Sequence, residues 1–299
     1  MIHCDGLSAS VEATIKDRMG RITAATHEIK AVLDDYRMQA IGGMMGAWDL
    51  WNLAVIPSLL NNCSTWLGIT SKVEDMLEIA QEKYIRLMLE IPVSTPKISL
   101  RAETGILSMK HRIWYEKVNL ILAIRRMEGG LAKQIYEEQL LYGWPGLAQE
   151  VEEICTRIGI PNVNFNLVTK TELNKALRNH DKTEIIEKFS KYKKLDKIQN
   201  DDPTIAKDYM GEKSIADARL IFRLRTETVD VKDNMRNRYR GTSTNCEACD
   251  MRVPESQVHV MTCMGYEEQR DGKDLGKDTD LVAYFREVLL LREKRKSKK

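Results

Sequence analysis

Ser71-Lys-Val-Glu-Asp-Met-Leu-Glu-Ile-Ala-Gln-Glu-Lys-Tyr-Ile-Arg-Leu-Met-Leu-Glu-Ile91 decides the fold class. Val73, Met76, Leu77, Ala80, Tyr84, Leu87, Met88 and Ile91 recur every three or four residues, the spacing of one helix face. Ser71 and Glu74 have capping-box spacing, in which the Ser71 hydroxyl accepts from the Glu74 N–H and the Glu74 carboxylate reaches back. Pro92 and Pro96 stop the helix, because proline disfavours helical backbone at the residue before it. A buried helix this regular needs other helices to cover it.

The flanking chain supplies them. Upstream, from Val11 on, apolar residues recur at Ile15, Ile22, Ile29 and Tyr36, a seven-residue rhythm with Val32 and Leu33 alongside, which marks one helical stripe. Residues 40–68 are apolar and irregular, loosened by Gly42, Gly43 and Gly46 and kinked or started afresh at Pro57. Downstream, a helix is expected from Ser108 to Met127, halted by Gly129-Gly130. Another opens at Pro145, with Leu147, Val151, Ile154 and Ile158 facing inward and Gly159 as its stop. A long polar helix or helix pair covers 169–198, and 199–213 is polar around Asp202-Pro203. The expected fold is mainly α, an irregular helical array followed by a small Cys/His knuckle and a basic C-terminal helix and tail. The expected segments are a helical region at 1–128, a helical connector at 129–200 and a linker at 201–217. A basic segment with the knuckle follows at 218–270, then the C-terminal helix and basic tail at 271–299.

Composition excludes several classes. Of 299 residues, 43% are hydrophobic, too many for a wholly disordered chain. Seven Pro and 17 Gly exclude a low-complexity or collagen-like chain. The N-terminus has no basic start followed by an apolar run, so no secretory signal is expected. The longest charge-free window, Leu50 to Ser71, carries Asn52, Pro57, Asn61 and Asn62 and does not read as a bilayer span. A nuclear or cytoplasmic, reducing compartment is expected, where clustered cysteines favour metal over disulfides.

The sharpest chemical signal is Cys246-Glu-Ala-Cys249, then His259 and Cys263. Two thiolates two residues apart can face one ion from a tight turn, and a His and a Cys four apart share a helix face. Four soft N/S donors with no spare carboxylate describe a closed, tetrahedral structural zinc site. Reading these as unrelated residues requires three of six Cys and one of five His to fall within 18 residues by chance. Cys4, Cys63 and Cys155 lie on or beside apolar segments and read as buried thiols. His3, His27, His111 and His180 have no partner at ligand spacing and receive no role.

The total charge of +2 conceals a polarised chain. Residues 219–240 hold Arg219, Arg223, Arg225, Lys232, Arg236, Arg238 and Arg240 against three acids, a local +4. The last eight residues add +5, leaving −7 for the rest. Arg forks match phosphate oxygens, and Phe222 and Tyr239 can stack on bases, so these seven residues are the candidate RNA or DNA contacts. The bland alternative is a solvated helix face with a few ion pairs.

No self-sufficient active site is legible. The Asp-Asp pairs are Asp34-Asp35, inside an expected helix, and Asp201-Asp202, in the polar segment. Neither follows the aromatic-x start of a polymerase turn, where paired carboxylates would hold two metals.

Several motifs, in order, carry a family resemblance. They are Ile2-His-Cys-Asp-Gly6 with Ile15-Lys-Asp-Arg18, Pro57-Ser-Leu-Leu60 with Thr65-Trp66, and Ser94-Thr-Pro-Lys97 with Glu103-Thr-Gly-Ile-Leu107. Phe222-Arg-Leu-Arg-Thr226 and Val229-Asp-Val-Lys232 then run into the knuckle. Over most of its length the chain resembles the C-terminal portion of a reverse transcriptase from a non-LTR (LINE-type) retrotransposon. The resemblance implies that residues 1–128 form a thumb that grips template–primer and that the knuckle contacts nucleic acid. It also implies a chain starting just after the palm, without the catalytic aspartates, and so not a DNA-synthesising enzyme in isolation. The competing expectation is a helical protein–protein interaction module with a structural zinc site.

Overall fold

A computed structural model describes residues 4–35, 43–160, 168–189, 191–192, 198, 201–234, 243–249 and 251–296. The described chain is an irregular helical array with no strand; one antiparallel bridge joins Asn245 and Pro254.

The first helix, α1, spans Cys4–Asp34, and its stripe is buried at Ile15, Ile22 and Leu33. Val32 lies to the exposed side of that stripe, and Tyr36 falls outside the described residues. The apolar stretch after it breaks into α2 (Met45–Leu50), a π-helical turn at Trp51–Val55 and α3 (Ile56–Leu59). Pro57 sits at the start of α3, where its missing N–H costs nothing. This unit inserts Trp48 and Trp51 against Tyr84, with the Trp51 and Tyr84 rings stacked at 4.3 Å.

Helix α4 spans Ser71–Leu89 and buries Val73, Leu77, Ala80, Tyr84 and Met88, as the spacing requires. Its cap differs from the expected box. Thr70, in extended conformation, is the capping residue, and its carbonyl takes the Val73 and Glu74 N–H groups. Ser71 is thereby the first helical residue rather than the cap.

Next come α5 (Lys97–Thr104), α6 (Met109–Arg126), α7 (Leu131–Tyr142), α8 (Leu147–Arg157) and α9 (Lys170–Phe189). Ser108 caps α6 by accepting from the His111 N–H at 3.3 Å. Gly159, at φ +75°, follows α8 as expected. Helices α6, α8 and α9 enclose one apolar cluster through Val118, Ile121, Val151, Cys155, Leu173 and Leu177.

The 201–217 segment differs from a free linker. It holds α10 (Tyr209–Glu212), and Tyr209, Met210 and Ile215 are buried. The Met44 N–H donates to the Met210 carbonyl at 2.8 Å, and the Tyr209 hydroxyl donates to buried Glu103 at 2.6 Å. Gly105, at φ +63°, lets the end of α5 meet this segment, since a Cβ there would fall 2.3 Å from the Ala206 nitrogen. The polar residues around Asp202 face outward and conceal apolar residues that pack inward.

Helix α11 (Ile215–Arg225) leads to the Cys/His region, with α12 (Gln257–Thr262) and α13 (Glu267–Arg270), and α14 (Asp278–Lys296) closes the described chain. The largest apolar cluster joins Trp51 and Leu77 to Phe222, Cys246, Val260, Tyr266 and Phe285. One core therefore spans residues that the sequence assigns to the first helical region and to the basic, metal-bearing end. Among the described residues, no helix is long and apolar enough to cross a membrane.

Candidate metal centre

Local chain geometry brings four ligands together from three short elements. The Cys246 N–H donates to the Val253 carbonyl at 2.8 Å and the Glu255 N–H to the Thr244 carbonyl at 2.9 Å. These bonds fold 244–255 back on itself and leave Cys246 and Cys249 on the turn. Ser256 then caps α12, accepting from the His259 N–H at 3.1 Å, which fixes His259 in the first turn. Cys263 ends α12 in extended conformation.

The donor atoms of Cys246, Cys249, His259 and Cys263 all lie within 4.8 Å of one another. Cys246 Sγ is 3.8 Å from Cys263 Sγ, and Cys249 Sγ is 3.5 Å from His259 Nε2. A tetrahedral ion at about 2.3 Å from sulfur and about 2.0 Å from nitrogen requires S···S near about 3.8 Å and S···N near about 3.5 Å. The four residues fit a metal ion on distance and on donor chemistry.

The surroundings support that role. The Ala248 N–H donates to Cys246 Sγ at 3.4 Å, and the Gly265 N–H approaches Cys263. Backbone donors of this kind orient and stabilise thiolate ligands. Gly265 is needed for contact: a Cβ there would lie 1.9 Å from the Ala248 carbonyl oxygen, so only glycine lets the 264–266 turn press on the Cys246–Cys249 turn. Burial pushes the Cys263 thiol up to about 12 and the Cys246 thiol upward as well. Metal binding must displace those protons, so affinity rises with pH.

The centre is bolted to the helical body by polar contacts. Glu255, 2% exposed, accepts from Arg292 of α14 at 2.7 and 3.1 Å. Arg270 donates to the Met261 and Cys263 carbonyls, and Gln257 donates to the Leu224 carbonyl at the end of α11. The tail expected from Arg292 onward differs accordingly, since α14 continues to Lys296 and Arg292 is buried.

Of the seven basic candidates, the four that are described, Arg219, Arg223, Arg225 and Lys232, are not gathered on one free surface. Arg219, 9% exposed, donates to the Met88 carbonyl at 2.8 Å and pairs with Asp34 at 2.9 Å and Glu90 at 3.2 Å. Arg223 donates to the Glu90 carbonyl. Arg225 pairs with Glu103 at 2.9 Å and with Asp201. Lys232 reaches the Asn245 carbonyl at 3.0 Å and Glu247 at 2.8 Å, clamping the turn that carries the cysteines. Arg236, Arg238 and Arg240 lie outside the described residues. The Asp-Asp pairs serve the same architecture, Asp34 through Arg219 and Asp201 through Arg225.

Sequence reading missed the supporting roles of Lys232, Glu255, Gly265 and Arg292 beside the Cys3His cluster. Only Ser256, three residues before His259, carried a local signal, the spacing of an N-cap. It also missed His111 and His180, whose rings meet across 69 positions. Models of known protein families, curated proteins and solved structures contain no match to this chain.

Proposed function

We propose that the chain is a nucleic-acid-binding helical module whose C-terminal end is organised by structural zinc, comparable to the thumb and knuckle of a non-LTR retrotransposon reverse transcriptase. The observation that carries the reading is the Cys3His cluster at tetrahedral spacing, sitting directly after a basic segment. Three thiolates and one imidazole select zinc over harder ions, and a closed set leaves no position for catalysis. RNA or DNA is the partner, in the nucleus or cytoplasm. Because Arg219, Arg223, Arg225 and Lys232 are spent on internal acids, phosphate contact falls to Arg236, Arg238 and Arg240, which flank the metal turn in sequence.

Affinity should then fall steeply with salt through counterion release. In a salt series of filter-binding or gel-shift measurements, the triple variant Arg236→Ala, Arg238→Ala, Arg240→Ala should flatten the slope of log K against log salt by about 3. Unchanged slope in the triple variant would overturn the assignment.

A second reading has its own observation. On and after α7, Leu131, Ile135, Leu140 and Leu141 are exposed, and Tyr142 stacks on Trp144 at 5.1 Å, also exposed. Apolar patches of this kind suit a protein partner. Absence of RNA and DNA binding at low salt would favour a protein-interaction module with the same zinc centre.

A further inference from the structure

Helices α6 and α9 pack so that His111, at the start of one, meets His180 and Glu184 of the other. His111 is fully buried. Its Nδ1 lies 2.5 Å from the Ser108 hydroxyl and 3.0 Å from an Asp181 oxygen. Its Nε2 lies 2.9 Å from Nδ1 of His180, and the same His180 nitrogen is 3.9 Å from Glu184. One ligand atom from each of His111, His180 and Glu184 falls within 4.8 Å of the others.

We propose that His111, His180 and Glu184 form a second metal site, for a divalent first-row transition ion, independent of the cysteine centre. Four features of the arrangement argue for it. First, the His111 and His180 nitrogens stand 2.9 Å apart, the separation of two imidazoles each about 2.0–2.1 Å from one ion at the right angle of an octahedral site, shorter than the roughly 3.3 Å of a tetrahedral one. Second, Asp181 accepts from the far ring nitrogen of His111. A carboxylate there fixes the tautomer that leaves Nε2 unprotonated and turned towards His180, the usual support behind a metal-bound histidine. Arg101 pairs with Asp181 and holds that carboxylate in place.

Third, His180 and Glu184 are four residues apart on α9, so one helix face presents both. Lys110 sits 2.5 Å from one Glu184 oxygen, and a carboxylate has lone pairs enough to serve an ammonium and an ion together. Fourth, two imidazoles and one carboxylate are a borderline donor set, suited to zinc, cobalt, nickel or iron(II), and three protein ligands leave a coordination position open. Glu184 and Ser108 line a cleft of about 620 Å³, whose wall includes Glu74, Glu78 and Glu82 of α4. The same wall carries Lys97, Arg101, Lys110, Lys188 and Lys191, and Glu184 is the proposed ligand that opens onto the cleft. The competing account is a directly hydrogen-bonded imidazole pair with no ion.

Cobalt(II) titration of the metal-free full chain under reducing conditions distinguishes the two. The cysteine centre takes one equivalent and shows thiolate-to-cobalt charge transfer. The His111/His180/Glu184 site takes another equivalent that adds visible ligand-field absorption without charge transfer. His180→Ala and Glu184→Gln, both at partly exposed positions, should each abolish this second equivalent and leave the charge-transfer band intact. Asp181→Asn should weaken it about 10–100-fold while retaining the stoichiometry. If the cysteine centre failed to bind, the thiolate-free equivalent would still appear and still be lost in His180→Ala. Cobalt binding without a thiolate-free equivalent, or one that persists unchanged in both His180→Ala and Glu184→Gln, would overturn the proposal.

Discussion

Cys249→Ser should release the ion from the cysteine centre and unfold the chain from about 243 through α14. Structural zinc contributes on the order of 10–16 kcal/mol in zinc-finger peptides, comparable with the entire stability of a typical domain. The segment that the ion would organise here contributes few apolar residues of its own to the core, Cys246, Val260, Cys263 and Tyr266, in the cluster that holds Tyr284, Phe285 and Phe222. Hydrogen exchange measured with the metal content of each sample checks this. Amides of α12 and α14 should lose protection in the variant. Those of α6, α8 and α9, packed in a separate apolar cluster, should keep theirs. Retained metal and retained α14 protection would contradict the structural role of Cys249.

Glu255→Ala carries the second large effect, about 3–5 kcal/mol, the usual cost of removing one partner of a buried ion pair. Glu255 is the acceptor for Arg292 of α14 and for the Lys232 N–H, and it is not one of the four candidate ligands. Its removal takes from the Arg292 guanidinium, 6% exposed, the carboxylate that accepts two of its N–H groups, and one-sided loss of a buried pair costs far more than loss of both partners. The Arg292 contact to the Asp230 carbonyl remains. Urea unfolding of metal-loaded protein should show the full loss in Glu255→Ala. The double variant Glu255→Met with Arg292→Met should recover most of it. Equal losses in both would mean that the pair acts through shape rather than charge.

These two residues show where sequence reading stops. Helices whose stripes face one core announce themselves locally: Val73 to Ile91 has the spacing, the helix after Ser108 its start and Gly159 the stop, and each is a short-range property of the backbone. The Cys3His cluster is legible for the same reason, since its ligands fall within 18 residues and their chemistry admits few alternatives. Long-range pairing is not legible. Arg219 counts as a surplus charge when only neighbours in sequence are considered, yet its acid, Asp34, lies 185 residues away. Arg225 meets Glu103 across 122 residues, and Arg292 meets Glu255 across 37.

Local charge counts therefore overstate the free basic surface of this chain. His111 and His180 looked solitary on the same grounds, and the 201–217 segment looked like a linker because its polar residues outnumber the buried Tyr209, Met210 and Ile215. Each miss has one physical cause. The partner is chosen by helix packing, which no local periodicity encodes.

Zinc-edge X-ray absorption of the full chain at one equivalent of zinc tests the central claim most directly. The expected spectrum is that of a four-coordinate shell of three sulfurs at about 2.3 Å and one nitrogen at about 2.0 Å, reduced to two sulfurs or emptied in Cys249→Ser. A first shell built only from nitrogen and oxygen would contradict it.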